Sequence, residues 1–217
     1  GDETEGQLRS LISQCPSCYP PGTVWIVGNE LWRDTFNKAN GQPISPRALT
    51  PAEYAQKFKK YHDMIKGIDP AYKLAVGATY YLDAVYPDYL AQARQAYQSM
   101  YGAKMPIDVY TVNAYNALFL LFLMNTPLPM PMLQYGDRDK WLVITEVGRL
   151  SSPDFGGDPG PDIVNCFMNR AFDYLSTEAL SWLGCPSDDN RLVQRWAWFG
   201  LSSAGTEGPH WWKGTNL

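Results

Sequence analysis

Thr23-Val24-Trp25-Ile26-Val27-Gly28-Asn29-Glu30 and Trp141-Leu142-Val143-Ile144-Thr145-Glu146-Val147-Gly148 are two short apolar runs, each reaching a glutamate at its far end. Both are rich in β-branched residues and lack the strict alternation of a half-exposed strand, which predicts buried strands of a parallel sheet. Three further stretches share this character: Lys73-Leu74-Ala75-Val76-Gly77, Ile107-Asp108-Val109-Tyr110-Thr111-Val112 and Leu192-Val193-Gln194-Arg195-Trp196-Ala197-Trp198. Helical patterns lie between them. Thr50 can cap a helix, Pro51 suits its first turn and Glu53 completes a capping box. Tyr54, Phe58, Tyr61 and Ile65 then recur at helical spacing until Gly67 and Pro70. Further helices are predicted over 7–14, 89–100, 117–124 and 161–183. Strand and helix alternate along the whole chain, the pattern of βαβ units and an α/β fold. Neither a repeat nor a Ser/Gly-rich linker divides it, so residues 1–217 read as a single domain.

The chain is long enough to bury one sizeable core. With 45% hydrophobic and 18% charged residues it falls outside the composition of disordered chains. The net charge is −4 and the 18 Lys and Arg form no basic run, which argues against nucleic acid or an anionic membrane as partner. The longest apolar run, Ala117 to Met124, is far short of the roughly 20 residues that span a bilayer. Aromatic residues reach 14%, with 8 Trp and 14 Tyr, the composition either of an aromatic core or of surfaces that stack flat ligands. The opening Gly1-Asp2-Glu3-Thr4-Glu5-Gly6 has neither the basic nor the apolar region of a signal peptide. The expectation is a removed leader or a start inside a longer gene.

Cys15 and Cys18 form a Cys-x-x-Cys pair, but the other cysteines, Cys166 and Cys185, are not closely spaced as a zinc site requires. Local disulfides, Cys15–Cys18 and Cys166–Cys185, are the alternative to free thiols and lean toward an oxidising compartment. Asp154, Asp158 and Asp162 lie in a Gly- and Pro-rich stretch without EF-hand spacing. Asp188-Asp189-Asn190 reads as a turn. His62 sits on an amphipathic helix, and Glu207 has no strand to hold it. Neither a metal nor a cofactor is expected.

Chemistry in α/β folds gathers at the carboxyl ends of the strands. Glu30 and Glu146 are placed there, where a carboxylate is costly unless it is exposed in a cleft or paired. Two such carboxylates suit a glycosidase, which needs one proton donor and one anion flanking the bond.

Asn29-Glu30 after Trp25-Ile26-Val27-Gly28 resembles the acid/base motif of clan A glycoside hydrolases, at the end of the fourth strand of a TIM barrel. Ile144-Thr145-Glu146-Val147-Gly148 is similar to their nucleophile strand, the seventh. Ile107 to Tyr115 looks like strand six, where the family often has a histidine and then a tyrosine two residues on. Here Tyr115 matches and Asn113 stands in place of the histidine. Arg195-Trp196-Ala197-Trp198-Phe199 resembles strand eight, whose tryptophan floors a sugar subsite, with Trp198 the preferred match and Trp196 the alternative. Within the clan the wording is closest to certain β-1,3-glucanases or β-xylosidases.

The resemblance implies a (β/α)8 TIM-barrel type of fold that is partial, about five β/α units corresponding to strands four to eight. Only residues 1–22 precede the first strand, and little follows the last. A complete barrel takes about 250 residues. A missing segment, or self-association with another copy, is expected to cover the open sheet edges. The implied reaction is retaining hydrolysis of a poly- or oligosaccharide, with Glu30 as acid/base and Glu146 as nucleophile about 5–5.5 Å apart. Asn29 would bond the sugar 2-hydroxyl, Tyr115 would steady Glu146, and Asn113 would lie on the substrate side. Trp32, Tyr80, Tyr81, Trp198, Trp211 and Trp212 are the stacking candidates. An extracellular location follows from that function and the cysteines. The competing expectations are a degenerate barrel that binds carbohydrate without turnover, and an unrelated doubly wound domain with the two glutamates far apart.

Overall fold

The computed structural model describes residues 2–29, 49–80, 86–115, 132, 135–148 and 160–199. Its strands are β1 (Val24–Asn29), β2 (Lys73–Tyr80), β3 (Val109–Tyr115), β4 (Trp141–Gly148) and β5 (Arg195–Trp198). Its helices are α1 (Asp2–Gln14), α2 (Pro51–Ile68), α3 (Tyr86–Tyr101) and α4 (Gly160–Thr177). The strands form one sheet in the order β1-β2-β3-β4-β5. The β1–β2 and β4–β5 pairs are parallel, and a helix stands between the strands of each. A doubly wound sheet reverses its strand order at a switch point, and this sheet does not, which sets the doubly wound expectation aside.

The chain packs as two compact units, residues 1–79 with 83–109 and residues 80–82 with 110–217. In the first, α2 begins as expected. The Thr50 hydroxyl accepts the Glu53 N–H at 3.2 Å, and the Glu53 carboxylate accepts the Thr50 N–H at 2.7 Å. It buries a stripe of Tyr54, Ala55, Phe58, Met64 and Ile65, and Leu74, Ala75 and Val76 of β2 are almost wholly excluded from water. Trp25 of β1 stacks on Tyr19 at 5.4 Å, and the Tyr72 hydroxyl donates to the Tyr19 carbonyl at 3.0 Å. Asp108 joins the start of β3 to β2. Its carboxylate accepts the Leu74 N–H and meets Lys66 Nζ, both at 3.0 Å.

The second unit departs from expectation at two boundaries. Helix α4 ends at Thr177 rather than at 183. Leu180 and Leu183 continue the apolar spacing, but the backbone there pairs with Asn190 and Arg191 instead, through Leu180 N–H to Asn190 O at 2.9 Å and Cys185 N–H to Arg191 O at 3.0 Å. The expected turn at Asp188-Asp189-Asn190 closes that loop, with φ of 52° and 59° at Asp189 and Asn190. Arg138 pins it by donating to the Gly184 carbonyl at 3.1 Å, to Asn190 Oδ1 at 3.0 Å and to the Ser181 carbonyl. Strand β5 starts at Arg195 rather than Leu192 because Gln194 fills the preceding ladder position twice over. Its N–H donates to Leu142 O at 3.0 Å while its side-chain oxygen accepts the Leu142 N–H at 2.7 Å.

The cysteines follow the local reading in one half only. Cys15 and Cys18 are bonded, whereas Cys166 and Cys185 are free, which overturns their pairing. Cys166 lies on the exposed face of α4, and the Cys185 thiol is buried against the Asp139 carbonyl and the Ser187 hydroxyl. The helix expected over 117–124 lies outside the described residues, as do Asp154 and Asp158 of the Gly- and Pro-rich stretch, whereas Asp162, read with them as part of one long loop, stands in the first turn of α4. Among those described, no helix is long and apolar enough to cross a membrane.

Candidate active site at the strand ends

Glu146 sits where β4 breaks step with β5. Ile144 is paired with Trp196 and Val147 with Trp198, so three residues advance on β4 while two advance on β5. The extra residue is a bulge, a feature that re-aims side chains at sheet edges and active sites. Trp198 packs against Phe167 and Phe172 of α4 at 6.0 and 5.8 Å, and Trp196 against Phe172 at 6.4 Å. Ile144 and Val147, the register partners of these tryptophans, are fully buried. That face of the strand is therefore the apolar layer beneath α4. In a regular strand Ile144 and Glu146 would share it, and the carboxylate would be driven among aromatic rings at a large desolvation cost. The extra residue gives that place to Val147 and leaves Glu146 half-buried.

Thr145 anchors the bulge. Its hydroxyl lies 2.7 Å from Asn113 Oδ1 and 3.1 Å from the Val112 carbonyl, so the residue beside Glu146 is tied to β3 by its side chain. Asn113 is itself wholly buried. From there it reaches the end of β4 through Thr145. Tyr115, the tyrosine expected beside the nucleophile, is the last residue of β3.

At the end of β1 the register runs Val27 with Val76 and Asn29 with Ala78, and Gly28 between them has φ of +91°. L side chains rarely adopt that backbone, so glycine at 28 lets the strand turn its carbonyl before Asn29. The neighbouring strand accommodates the turn with a second glycine. A Cβ on Gly77 would lie 2.8 Å from both the carbonyl carbon and oxygen of Gly28. Into the same place α2 inserts a hydroxyl. Tyr54 OH donates to the Val27 carbonyl at 2.9 Å and accepts the Gly77 N–H at 3.0 Å. Burial pushes the Tyr54 hydroxyl far above its ordinary pKa, so it stays protonated and keeps both bonds. Asn29 emerges from this arrangement exposed to solvent. Tyr80 is the last residue of β2.

Glu30, Trp32, Tyr81, Glu207, Trp211 and Trp212 lie outside the described residues. Trp198 is half-buried in the layer between β5 and α4, and its indole N–H has no hydrogen-bond partner among the described residues. Its ring contacts are those of core packing. Among the described residues no three His, Cys, Asp or Glu side chains are gathered as metal ligands require. The features that place the strand ends, Tyr54, Gly77, Thr145 and the bulge, were not legible as functional in the sequence. Only the glycines within two apolar runs carried a signal, because an isolated glycine in a strand marks a bulge or a close backbone approach.

No family model matches the chain, and no curated protein does. Solved structures do. An endo-β-1,3-glucanase of family GH128, subgroup II, from Pseudomonas viridiflava superposes with a TM-score of 0.63 at 20% identity, over 95% of this chain and 67% of that one. A curdlan-specific exo-β-1,3-glucanase of subgroup III from Blastomyces gilchristii gives 0.50 at 13% identity, over 76% and 61%. An α-L-arabinofuranosidase from Thermotoga maritima gives 0.50 at 14%, over 82% and 34%. The chain thus spans from about a third to two thirds of the structures it resembles. It shares the fold of these TIM-barrel glycoside hydrolases and matches part of it.

Proposed function

We propose that residues 1–217 act as one glycoside hydrolase domain that cleaves β-linked poly- or oligosaccharide with retention, using Glu30 as acid/base and Glu146 as nucleophile. The observation that carries this reading is the bulge at Thr145-Glu146, which keeps a carboxylate out of the apolar layer at the carboxyl end of β4. The fold adds support, since its carboxyl-end residues are where TIM-barrel enzymes do their chemistry.

In the first step Glu30 gives its proton to the glycosidic oxygen while the Glu146 carboxylate attacks the anomeric carbon from the opposite face. The leaving alcohol departs and a glycosyl ester forms on Glu146. In the second step the Glu30 carboxylate takes a proton from water, whose oxygen displaces Glu146, and the configuration is retained. The two groups must hold opposite protonation states at the start, which requires Glu30 to be the more desolvated. Asn29 would bond the 2-hydroxyl and Tyr115 would steady Glu146. Asn113 would act through Thr145 rather than on the sugar. Trp32, Tyr80, Trp198 and Trp211 would supply stacking surface, Trp198 with the part of its ring that its phenylalanine neighbours leave exposed. The first substrate to test is β-1,3-glucan, because the Pseudomonas and Blastomyces enzymes are β-1,3-glucanases. Secretion accords with a polysaccharide substrate and the Cys15–Cys18 disulfide.

The test is turnover of laminari-oligosaccharides and an activated aryl β-glucoside. Glu146→Ala should lose at least about 1,000-fold, on the order of 4 kcal/mol of barrel-site stabilisation of the transition state. Azide should then rescue it with a sugar azide of inverted configuration. Retention of polysaccharide by the wild type without turnover would replace the enzyme with a binding protein.

A further inference from the structure

We infer that Tyr54 is a positioning residue for the acid/base strand, its hydroxyl serving as a rung between β1 and β2 that fixes the course of the backbone into Asn29-Glu30. The inference rests on the proposed role of Glu30. A parallel ladder is closed by backbone N–H to carbonyl bonds. Beside Gly28 the Gly77 N–H donates to Tyr54 OH, which donates in turn to the Val27 carbonyl, so a side-chain hydroxyl joins the two strands at this rung. The bridge is local to the site, acting on the residue before Gly28 and on the glycine that faces it. It comes from a helix, so the side chain is held along its whole length. Its ring lies 6.3 Å from Phe58 and 6.1 Å from Tyr89, and Tyr54 is 1% exposed. Tyr89 is fastened in its own right, its hydroxyl donating to the Leu49 carbonyl at 2.8 Å.

A buried tyrosine that served only the core would need one acceptor for its proton. This one both donates and accepts across the two strands, and the backbone it joins leads into the proposed acid. Without the hydroxyl the Gly77 N–H and the Val27 carbonyl each lose a hydrogen-bond partner in a dry environment, and the two strands are expected to close up or admit water. Either movement shifts Asn29, which precedes Glu30 in the chain. A proton donor must lie within about 2.6–3.2 Å of the oxygen it serves, so a small displacement acts on proton transfer more than on substrate affinity.

The test compares Tyr54→Phe with Phe58→Leu, a neighbouring core change that keeps the hydroxyl. Tyr54→Phe should raise amide exchange at Gly28 and Asn29 at least about 10-fold, leave the amides of β4 unchanged, and move the limb of the pH–rate profile that reports the acid. Its kcat on oligosaccharide should fall about 10- to 100-fold with KM little altered, while an aryl glycoside whose leaving group needs no protonation loses far less. Phe58→Leu should show none of these. Equal effects from the two variants would overturn the inference and leave Tyr54 a core residue. If Glu30→Gln is as active as the wild type, the proposed function fails, and the exchange measurement still decides whether Tyr54 holds the strand. Should Tyr54→Phe not fold, the wild-type protein answers by NMR. A slowly exchanging Tyr54 hydroxyl proton coupled through space to the Gly77 amide supports the bridge, and a rapidly exchanging one refutes it.

Discussion

Gly77→Ala is the sharpest perturbation of the strand pair that leads to Asn29-Glu30. The new methyl carbon would sit 2.8 Å from the carbonyl carbon and oxygen of Gly28 and 2.9 Å from the Val27 oxygen. Carbon atoms in contact rest at about 3.5–4.0 Å, so β1 has to retreat by roughly 0.7 Å or more. Every atom in the way is backbone, and none can be relieved by a rotamer change. Overpacking of this kind costs about 1–3 kcal/mol, against which the loss of glycine's freedom in the unfolded chain returns about 0.4–1 kcal/mol. The expected net loss is about 1–2 kcal/mol, a fall in Tm of roughly 2–8 °C for a chain of this size. Gly67→Ala is the control, since nothing lies within 4 Å of a Cβ there and the residue is inside α2. It should stabilise by about 0.5–1 kcal/mol. Thermal unfolding by circular dichroism, with urea titration as a second measure, reads both. A Gly77→Ala protein as stable as the wild type would refute the close approach of β1 and β2 at Gly28.

Thr50→Ala removes the hydroxyl half of the capping box and should cost about 1 kcal/mol in urea unfolding. The Thr50 N–H and hydroxyl hold the Glu53 carboxyl below its ordinary value. Its contribution is therefore present above the unfolded-state pKa and lost as pH falls through the folded one. The stability gap between wild type and Glu53→Gln should be open at pH 7 and close below about pH 4, and a gap that widens in acid would contradict the cap. Thr145→Val deletes the tie to Asn113 and Val112 and should cost about 1–3 kcal/mol, measured by the same titration. Thiol titration of the native, unreduced protein should find Cys166 accessible at once and Cys185 only after denaturant is added.

The alternation of strand and helix was plain in the sequence because the apolar runs are short, β-branched and separated by helical spacing. The capping box at Thr50 was equally plain, since its residues are neighbours whose mutual bonding needs no tertiary help. The strand order was legible only through the resemblance, for no local feature distinguishes a strand that pairs in sequence order from one that reverses. The end of α4 is not legible because Leu180 and Leu183 fit an apolar helix face, while their backbone pairs with Asn190 and Arg191 in a loop that Arg138, more than forty residues away, holds in place. Glu146 is a candidate by position, at the end of an apolar run. What frees it from the layer under α4 is a register difference between two strands, and one strand alone does not show it. Trp198 illustrates the limit of type and position together. Its place in the strand suits a sugar platform, and the structure adds that its half-buried ring packs against Phe167 and Phe172. Tyr54 is a member of a helix stripe, and periodicity says nothing of where its hydroxyl ends.

Covalent trapping is the most direct measurement of the retaining reaction. A 2-deoxy-2-fluoro β-glucosyl or laminaribiosyl fluoride slows hydrolysis of the intermediate, so the ester accumulates and can be weighed. Retention through Glu146 predicts a protein heavier by one glycosyl group, with the label on the peptide that contains Thr145-Glu146-Val147 and none on Glu146→Ala. An unlabelled protein that nonetheless hydrolyses the substrate, or a label on another carboxylate, would contradict the assignment.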